Sequence, residues 1–223
     1  MELTEKQQRT IIDIVNAFET GGKYDKVATE RDGDNNRHQI SYGVAQVTEY
    51  GKLRQLLSRY IYKGGKYSYR LAPYMAKVGV EPLVGDLNFI QILKDAGKYD
   101  PIMREVQDGF FYTDYFKPAL DWATATQFRD PLSMLVIYDS FIHSGGIHGF
   151  LRKRFAERVP VEGGNERKWI QAYVEARHKW LGTHTKTILQ KTIYRTRLFQ
   201  DLINDKNWYL AKLPIYANGH KIK

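Results

Sequence analysis

The chain has 223 residues, no cysteine, and no apolar run long enough to cross a membrane. The missing cysteine excludes disulfide bonds and leaves the redox state of the compartment open. The N-terminal residues lack the apolar core of a secretory signal, so neither a Sec signal of its own nor a membrane span is expected. Only seven prolines are present, and no linker or internal repeat interrupts the chain. Residues 1–223 are therefore expected to form one domain, with two lobes.

Acidic residues are the minority among the charged side chains. The 25 Asp and Glu stand against 34 Lys and Arg, which gives a formal net charge of +9. This excess favours anionic partners and repels a polycation over long range. Nucleic acid is not expected as a partner, because the basic residues are scattered among acids and no helix-turn-helix, zinc-finger or RNA-binding motif is present.

Most of the chain carries apolar residues at helical spacing. One hairpin is predicted over 26–42, with strands at 26–31 and 37–42, and loops are predicted at 63–66 and 95–100. Helices are predicted over 5–19, 48–62, 86–95, 100–108, 110–126, 131–144, 166–181 and 184–204. The pattern indicates a mainly α protein with a small antiparallel hairpin.

The first predicted helix ends on an acidic residue, Glu19. Thr4 and Gln7 have the spacing of a capping box at the start of this helix. Glu19 follows Val15 by four positions, so its side chain is expected on the buried stripe, where partial desolvation raises the pKa of a carboxyl group. Such a carboxyl is suited to donate a proton. An ordinary helix-terminal carboxylate is the alternative.

A turn rich in Asp, Gly and Asn joins the two predicted strands and carries Asp32 and Asp34. Exposed carboxyl groups in such a turn are expected to stay ionised. Glycosidic bond hydrolysis uses one carboxyl that protonates the leaving oxygen and a second, ionised one that activates water. A plain hairpin turn is the alternative. A calcium loop is disfavoured, because its sixth and twelfth positions hold Arg37 and Gly43 instead of Gly and Glu.

Further motifs follow these acids in a defined order. Tyr24 stands eight residues before Asp32, and Ser41 and Gly43 come after the turn. An apolar run leading to Tyr-Asp and then to His and Gly occupies 136–145, and a Tyr-x-Glu-Ala-Arg motif occupies 173–177. The ending, 210–222, runs from Leu210 to Pro214 and then through a hairpin that contains Gly. In these motifs the chain resembles, from end to end, the chitosanase-like glycoside hydrolases of the lysozyme-like superfamily, which include peptidoglycan-cleaving phage lysins and interbacterial toxin domains.

The resemblance implies a mechanism and a fold. Glu19 is the general acid, Asp32 is the general base, and Ser41 helps to hold the attacking water, with Tyr24 and Gly43 also positioning water or substrate. The reaction inverts the anomeric centre, and neither a metal nor a cofactor is needed. The fold implied is mainly α, with two helical lobes around a cleft and a small antiparallel sheet.

The sequence departs from the family pattern in two places. The spacing from Asp32 to Gly43 is one residue longer than usual, so Asp34 could take the catalytic place and both acids stay open as the base. The acid that the family uses to hold a cationic sugar is not an Asp here, and Glu49 is the nearest candidate. This departure weakens chitosan as the substrate.

A second group of candidates lies far along the chain. Asp139 falls on an apolar helix, where an unpaired carboxylate would cost several kcal/mol, so a cationic partner is expected. The resemblance makes Arg177 that partner, in a network that holds Glu19; separate structural ion pairs are the alternative. His143 is expected to be a cleft-wall or capping residue, because zinc binding with His148 would need a third ligand.

These observations predict an endo-acting glycoside hydrolase that cleaves β-1,4 bonds of an amino-sugar polymer. Because of the positive charge, peptidoglycan is expected as the substrate before chitosan. A non-catalytic wall-binding module is the alternative of another class. The partner is thus a polysaccharide, and the protein is expected to be a monomer, or a domain of a larger delivered protein, that acts outside the producing cytoplasm.

Overall fold

The computed structural model describes residues 1–19, 21–31, 37–44 and 46–223. In chain order its helices and strands are α1 (Glu5–Glu19), β1 (Val27–Arg31), β2 (His38–Tyr42), β3 (Val47–Thr48), α2 (Leu53–Tyr62), α3 (Ser68–Leu71), α4 (Leu87–Tyr99), α5 (Pro101–Phe111), α6 (Lys117–Ala125), α7 (Pro131–Ser144), α8 (Gly149–Arg152), α9 (Glu166–Gly182), α10 (Thr187–Gln190), α11 (Tyr194–Asn204), β4 (Ile215–Ala217) and β5 (His220–Ile222). Short 3₁₀ helices occupy Ala72–Ala76 and Pro160–Glu162, and a π-helical turn occupies Tyr112–Phe116. The predicted mainly α fold with a small antiparallel sheet is confirmed.

The chain divides into two compact units. The larger unit contains residues 1–18 and 113–223, and the smaller unit contains residues 19–112. Within the described residues no helix is long and apolar enough to span a membrane.

Helix α7 is the centre of the larger unit. Its first ten residues, 131–140, are all buried, because the helix is apolar on every side and packs against α6, α9 and α11. Asp130 precedes Pro131, which suits the first helical position, and Gly145 ends the helix in the left-handed conformation at φ 74°. The one carboxylate on this buried surface, Asp139, needs compensation from its neighbours.

The smaller unit combines a three-stranded antiparallel sheet with helices α2 to α5. Strand β2 is central, and the register pairs Val27 with Tyr42 and Arg31 with His38. Helix α4 packs near β1 through Gly97, where an added Cβ would lie 2.3 Å from the carbonyl oxygen of Tyr24. A larger residue at 97 would therefore separate the helix from the sheet.

A buried carboxylate, Asp100, closes the loop between α2 and α3. It accepts hydrogen bonds from the Tyr60 hydroxyl at 2.5 Å and from the backbone N–H of Lys66 at 2.7 Å. It also caps α5 by accepting from the N–H of Ile102 at 2.9 Å. The predicted loop at 95–100 is wrong, because α4 continues to Tyr99 and α5 begins after this single capping residue.

Other helix boundaries differ from the predictions where tertiary pairing changes the local preference. The helix predicted from residue 48 begins at Leu53, because Val47–Thr48 pairs with β2. The helix predicted over 110–126 is interrupted by the π-helical turn, and that predicted over 184–204 is divided into α10 and α11. The hairpin over 26–42 and the C-terminal hairpin implied by the resemblance are both present.

Candidate active site

Glu19 is the last residue of α1 and is half-buried. The capping box at the start of the helix is confirmed: the Thr4 N–H donates to Gln7 Oε1 at 3.0 Å, and the Gln7 N–H donates to Thr4 Oγ1 at 3.2 Å. On this helix Ile14 is fully buried, whereas Ile12 is half-buried. Glu19 follows Ile12 by seven positions and thus lies at the edge of the stripe.

The last turn of α1 is fixed by residues distant in the sequence. The Tyr194 hydroxyl donates to the carbonyl oxygen of Phe18 at 3.0 Å, and the Asn218 amide donates to that of Ala17 at 3.3 Å. These two donors satisfy carbonyl groups that a helix end leaves without partners. The Phe18 ring packs edge-on against Phe199 at a centroid distance of 5.9 Å. Because Glu19 is the next residue, these contacts fix the backbone from which its side chain extends.

The guanidinium of Arg195 also lies over the Phe18 ring, 5.2 Å from its centroid. Arg195 was not predicted from the sequence, and neither were Tyr194 and Asn218. Their spacing from Glu19 gives no local signal, since α11 and the C-terminal hairpin meet α1 only through the tertiary fold.

The two candidates for the general base come between β1 and β2 in the sequence. Asp32 and Asp34 are outside the described residues, so their assignment stays a prediction. The strands that flank them are described from Val27 to Arg31 and from His38 to Tyr42.

Gln107 of α5 joins the segments before and after this hairpin. Its amide donates to the carbonyl oxygen of Tyr24 at 2.9 Å, and its Oε1 accepts from the N–H of Val44 at 2.9 Å. Gly43, the residue before Val44, has a φ of 74°. A Cβ added at Gly43 would lie 2.2 Å from Gln107 Oε1. The Tyr24 hydroxyl donates to Asp108 Oδ1 at 2.9 Å. Tyr24 and Gly43 thus hold the base of the hairpin, and their predicted roles toward water or substrate stay predictions.

Ser41 is only 1% exposed, and its hydroxyl donates to Gln46 Oε1 at 3.1 Å. The amide of Gln46 donates in turn to the carbonyl oxygen of Gly43 at 2.9 Å. These contacts give Ser41 a structural role in the turn after β2. Its predicted role in holding the attacking water stays a prediction.

Glu49 is held inside the smaller unit by backbone groups. The side chain is fully buried, and its two carboxylate oxygens accept from the backbone N–H groups of Ile40, at 3.0 Å, and Leu83, at 2.7 Å. A carboxylate held in this way joins the sheet to the loop that precedes α4, which gives Glu49 a structural role. Its predicted role in holding a cationic sugar stays a prediction.

The predicted ion pair between Asp139 and Arg177 is confirmed. Arg177 Nη1 lies 2.6 Å from Asp139 Oδ2, and Arg195 Nη1 lies 2.8 Å from Asp139 Oδ1. Burial alone would raise the pKa of the Asp139 carboxyl, but the two guanidinium groups outweigh it and hold this pKa below its ordinary value. The predicted extension of the network to Glu19 stays a prediction.

Ser140 and Tyr173 extend the buried cluster that Asp139 forms with Arg177 and Arg195. The Tyr173 hydroxyl donates to Ser140 Oγ at 3.1 Å, and Arg177 Nη1 donates to the same oxygen at 3.3 Å. The Ser140 hydroxyl donates to the carbonyl oxygen of Val136 at 2.8 Å. The cluster therefore connects α7 to α9 through hydrogen bonds as well as through charge.

His143 stands one turn after Asp139 in α7. Burial and the positive charges of Arg177 and Arg195 lower the pKa of its imidazole to about 3, so the ring is neutral at physiological pH. Its Nδ1 lies 3.3 Å from Ser144 Oγ. In the part of the chain that the structure describes, no cluster of three metal-ligating side chains is present.

The sequence pattern of glycosyl hydrolase family 46 matches residues 56–215, which is well over half of the chain. The chain belongs to glycosyl hydrolase family 46. It is therefore a glycoside hydrolase, and its fold is lysozyme-like, as the resemblance implied. The matched segment begins after Glu19, Asp32 and Asp34.

Solved family 46 chitosanases have a similar fold over nearly the whole chain. The native chitosanase from Bacillus subtilis MY002 has a TM-score of 0.82 at 19% identity, with 100% of both chains covered. A mutant of that chitosanase complexed with 6 GlcN has a TM-score of 0.77 at 21% identity, again with 100% of both chains covered. The Gynuella sunshinyii chitosanase complexed with chitotetraose has a TM-score of 0.78 at 22% identity, covering 99% of this chain and 98% of that chain. At these identities the likeness concerns the fold, and no curated protein sequence matches the chain.

Proposed function

We propose that this family 46 enzyme cleaves internal β-1,4 bonds of an amino-sugar polymer with inversion, and that Glu19 is its general acid. Family membership is the observation that carries the proposal. It is supported by the position of Glu19, half-buried at the end of a helix whose last turn is fixed by Tyr194 and Asn218. A carboxyl group held on a rigid element can protonate a leaving oxygen in a reproducible geometry.

The general base in this proposal is Asp32, with Asp34 as the alternative. Both residues come between β1 and β2 in the sequence, and the longer spacing to Gly43 allows either one to be the base. An inverting reaction needs room for a water molecule, so we expect the carboxyl group of Glu19 and that of the base to be roughly 6.5–9.5 Å apart.

Chitosan is the first substrate of this proposal. Two of the solved structures with the same fold are complexes with glucosamine oligomers, described as chitotetraose and 6 GlcN. Because of these complexes we place chitosan before peptidoglycan, although the net charge alone favours peptidoglycan.

Peptidoglycan is the second candidate, and two observations favour it. The net charge of +9 repels a polycation such as chitosan over long range. In addition, both oxygens of Glu49 are used by backbone N–H groups, so in this proposal the acid does not offset the positive charge of a glucosamine unit. Either polymer lies outside the cytoplasm, so we also propose that the enzyme acts there. We further propose that residues 1–223 form one catalytic domain and that the protein is a monomer.

The test is the release of reducing ends from chitosan and from purified sacculi, measured side by side over a salt series at constant pH. On chitosan, kcat/KM is expected to stay constant or rise with salt, because screening weakens like-charge repulsion beyond about 8 Å at physiological ionic strength. On sacculi, if they are cleaved, kcat/KM is expected to fall with salt. Cleavage of sacculi alone would make peptidoglycan the substrate. Binding to both polymers without any cleavage would support the non-catalytic alternative and overturn the proposal.

A further inference from the structure

A groove lies in the smaller unit, between α3, the 3₁₀ helix Ala72–Ala76 and the start of α4. It encloses about 480 Å³. None of its lining residues belongs to the catalytic or supporting residues named above. The polar, charged and aromatic side chains of its lining are Tyr69, Arg70, Tyr74, Lys77, Asp86 and Asn88.

The floor of the groove is a chain of hydrogen bonds between side chains. Arg70 Nη2 donates to Asn88 Oδ1 at 3.2 Å, and the Asn88 amide donates to the Tyr74 hydroxyl at 2.9 Å. The Tyr74 hydroxyl donates to Asp86 Oδ1 at 3.4 Å, and this carboxylate also caps α4 through the N–H of Phe89 at 2.8 Å. The polar groups are thus held in place before any ligand arrives, which reduces the ordering cost of binding.

The wall of the groove is an exposed aromatic ring. Tyr69 is 77% exposed and carries its ring beside the polar floor. A pyranose ring has an apolar C–H face that packs on an aromatic ring and a rim of hydroxyl groups that hydrogen-bond to fixed polar side chains. Arg70 adds donors, since a guanidinium carries five N–H groups and its contact with Asn88 uses one of them.

The charges of the groove distinguish between amino sugars. Arg70 and Lys77 are cationic, and the Asp86 carboxylate, whose Oδ1 accepts from the Phe89 N–H and the Tyr74 hydroxyl, offsets one of these two charges. Lys77 and Glu81 lie 4.0 Å apart, and both are about half exposed or more, so solvent largely screens this pair. The lining residues thus carry one net positive charge, which disfavours a glucosamine ammonium group. An N-acetyl group is neutral, and its carbonyl oxygen can accept from either cation.

We propose that this groove is a non-catalytic binding site for chains that contain N-acetylglucosamine, with Tyr69 as the stacking platform and with Arg70 and Asn88 as hydrogen-bonding groups. The site binds an N-acetylated polymer in preference to glucosamine-rich segments. It does not depend on the assignment of Glu19 or of the turn acids. N-acetylglucosamine occurs both in chitin and in peptidoglycan, so each source forms one arm of the test.

The test compares three variants with the parent. Tyr69→Ala removes the ring, Tyr69→Phe keeps it, and Tyr99→Ala removes an exposed tyrosine of the same unit that does not line the groove. Binding of N-acetylchitotetraose and of chitotetraose is measured by NMR titration, following the side-chain amide of Asn88. Co-sedimentation with chitin and with sacculi then separates the two sources.

We expect N-acetylchitotetraose to shift the Asn88 amide, and Tyr69→Ala to weaken this binding at least tenfold. Tyr69→Phe and Tyr99→Ala are expected to stay within about twofold of the parent, and cleavage of a short soluble substrate is expected to be unchanged in all variants. Equal binding by Tyr69→Ala and Tyr99→Ala, or stronger binding of chitotetraose than of its N-acetylated form at Asn88, would overturn the proposal. Because the signal is read at Asn88, it stays interpretable even if Glu19 is not the acid.

Discussion

Arg177 Nη1 lies 2.6 Å from Asp139 Oδ2, and both side chains are almost completely buried. A carboxylate on the apolar helix α7 is tolerated because Arg177 and Arg195 each reach one of its oxygens. Removing one partner of a buried pair costs more than the pair contributes, since the remaining charge keeps its desolvation penalty.

Arg177→Ala is therefore expected to lower the free energy of unfolding by about 3 kcal/mol, the lower end of the range for breaking a buried pair, because Arg195 still contacts Asp139. The control is Lys117→Ala, which breaks an ion pair between Lys117 Nζ and Asp121 Oδ2, 2.6 Å apart, whose side chains are 57% and 62% exposed. Exposed ion pairs contribute about 1 kcal/mol or less. Denaturant unfolding that gave the two variants equal losses would contradict the role assigned to Arg177.

A dependence of stability on pH follows from His143. The folded-state pKa is lowered to about 3, whereas the ordinary value is 6.5, so between these limits the unfolded state binds a proton that the folded state does not. Stability is thus lost as the pH falls below 6.5, by at most about 2 kcal/mol at pH 5 from this residue. Urea unfolding at pH 7.5 and pH 5 should show a smaller loss for His143→Gln than for the parent. Equal losses would mean that His143 titrates normally.

Glu49→Gln tests whether this buried carboxylate is structural. An amide has only one acceptor oxygen, so its NH₂ group would face the backbone N–H of Ile40 or of Leu83, which is also a donor. One hydrogen bond to a charged group is therefore lost, and the free energy of unfolding is expected to fall by about 1.5–3 kcal/mol. The control Glu105→Gln changes a carboxylate that is 65% exposed and is expected to cost 1 kcal/mol or less, as for other surface pairs. A normal melting temperature for Glu49→Gln together with a raised KM for chitosan would support the substrate-binding role instead.

Asp32→Asn and Asp34→Asn distinguish the two candidates for the base. Loss of general base catalysis costs about 10²–10⁴-fold in rate, so Asp32→Asn is expected to lower kcat by at least about 100-fold. Asp34→Asn is expected to keep kcat within about tenfold of the parent. Reversed effects would place the base at Asp34, and near-parent rates in both variants would place it elsewhere.

Local patterns in the sequence predict much of this fold. The bounds of α1 and α7 follow from apolar spacing together with the capping box at Thr4 and the Pro131 and Gly145 signals. The pair of Asp139 with Arg177 also follows, because a buried carboxylate demands a cation and the resemblance supplied one. These features depend on residues within one element or on a recognised motif.

Other features depend on contacts between elements that local spacing does not encode. Glu49 has the residue type of a ligand-binding acid, but the N–H groups of Ile40 and Leu83 reach both its oxygens only after the unit folds. Arg195 is likewise one of many basic residues in the sequence, and only the packing of α11 brings it to Asp139. The groove beside Tyr69 arises in the same way, from three short elements with no common motif.

The measurement that tests the central claim most directly is the turnover of Glu19→Gln on the polymer that the parent cleaves. The amide keeps the volume of the side chain but cannot donate the proton, so the rate is expected to fall by at least about 10²-fold with an unchanged melting temperature. Glu5→Gln, the same change in the first turn of the same helix, is expected to keep the parent rate. A normally folded Glu19→Gln enzyme with more than about a tenth of the parent rate, above the range that loss of a general acid allows, would contradict the assignment of Glu19 as the acid.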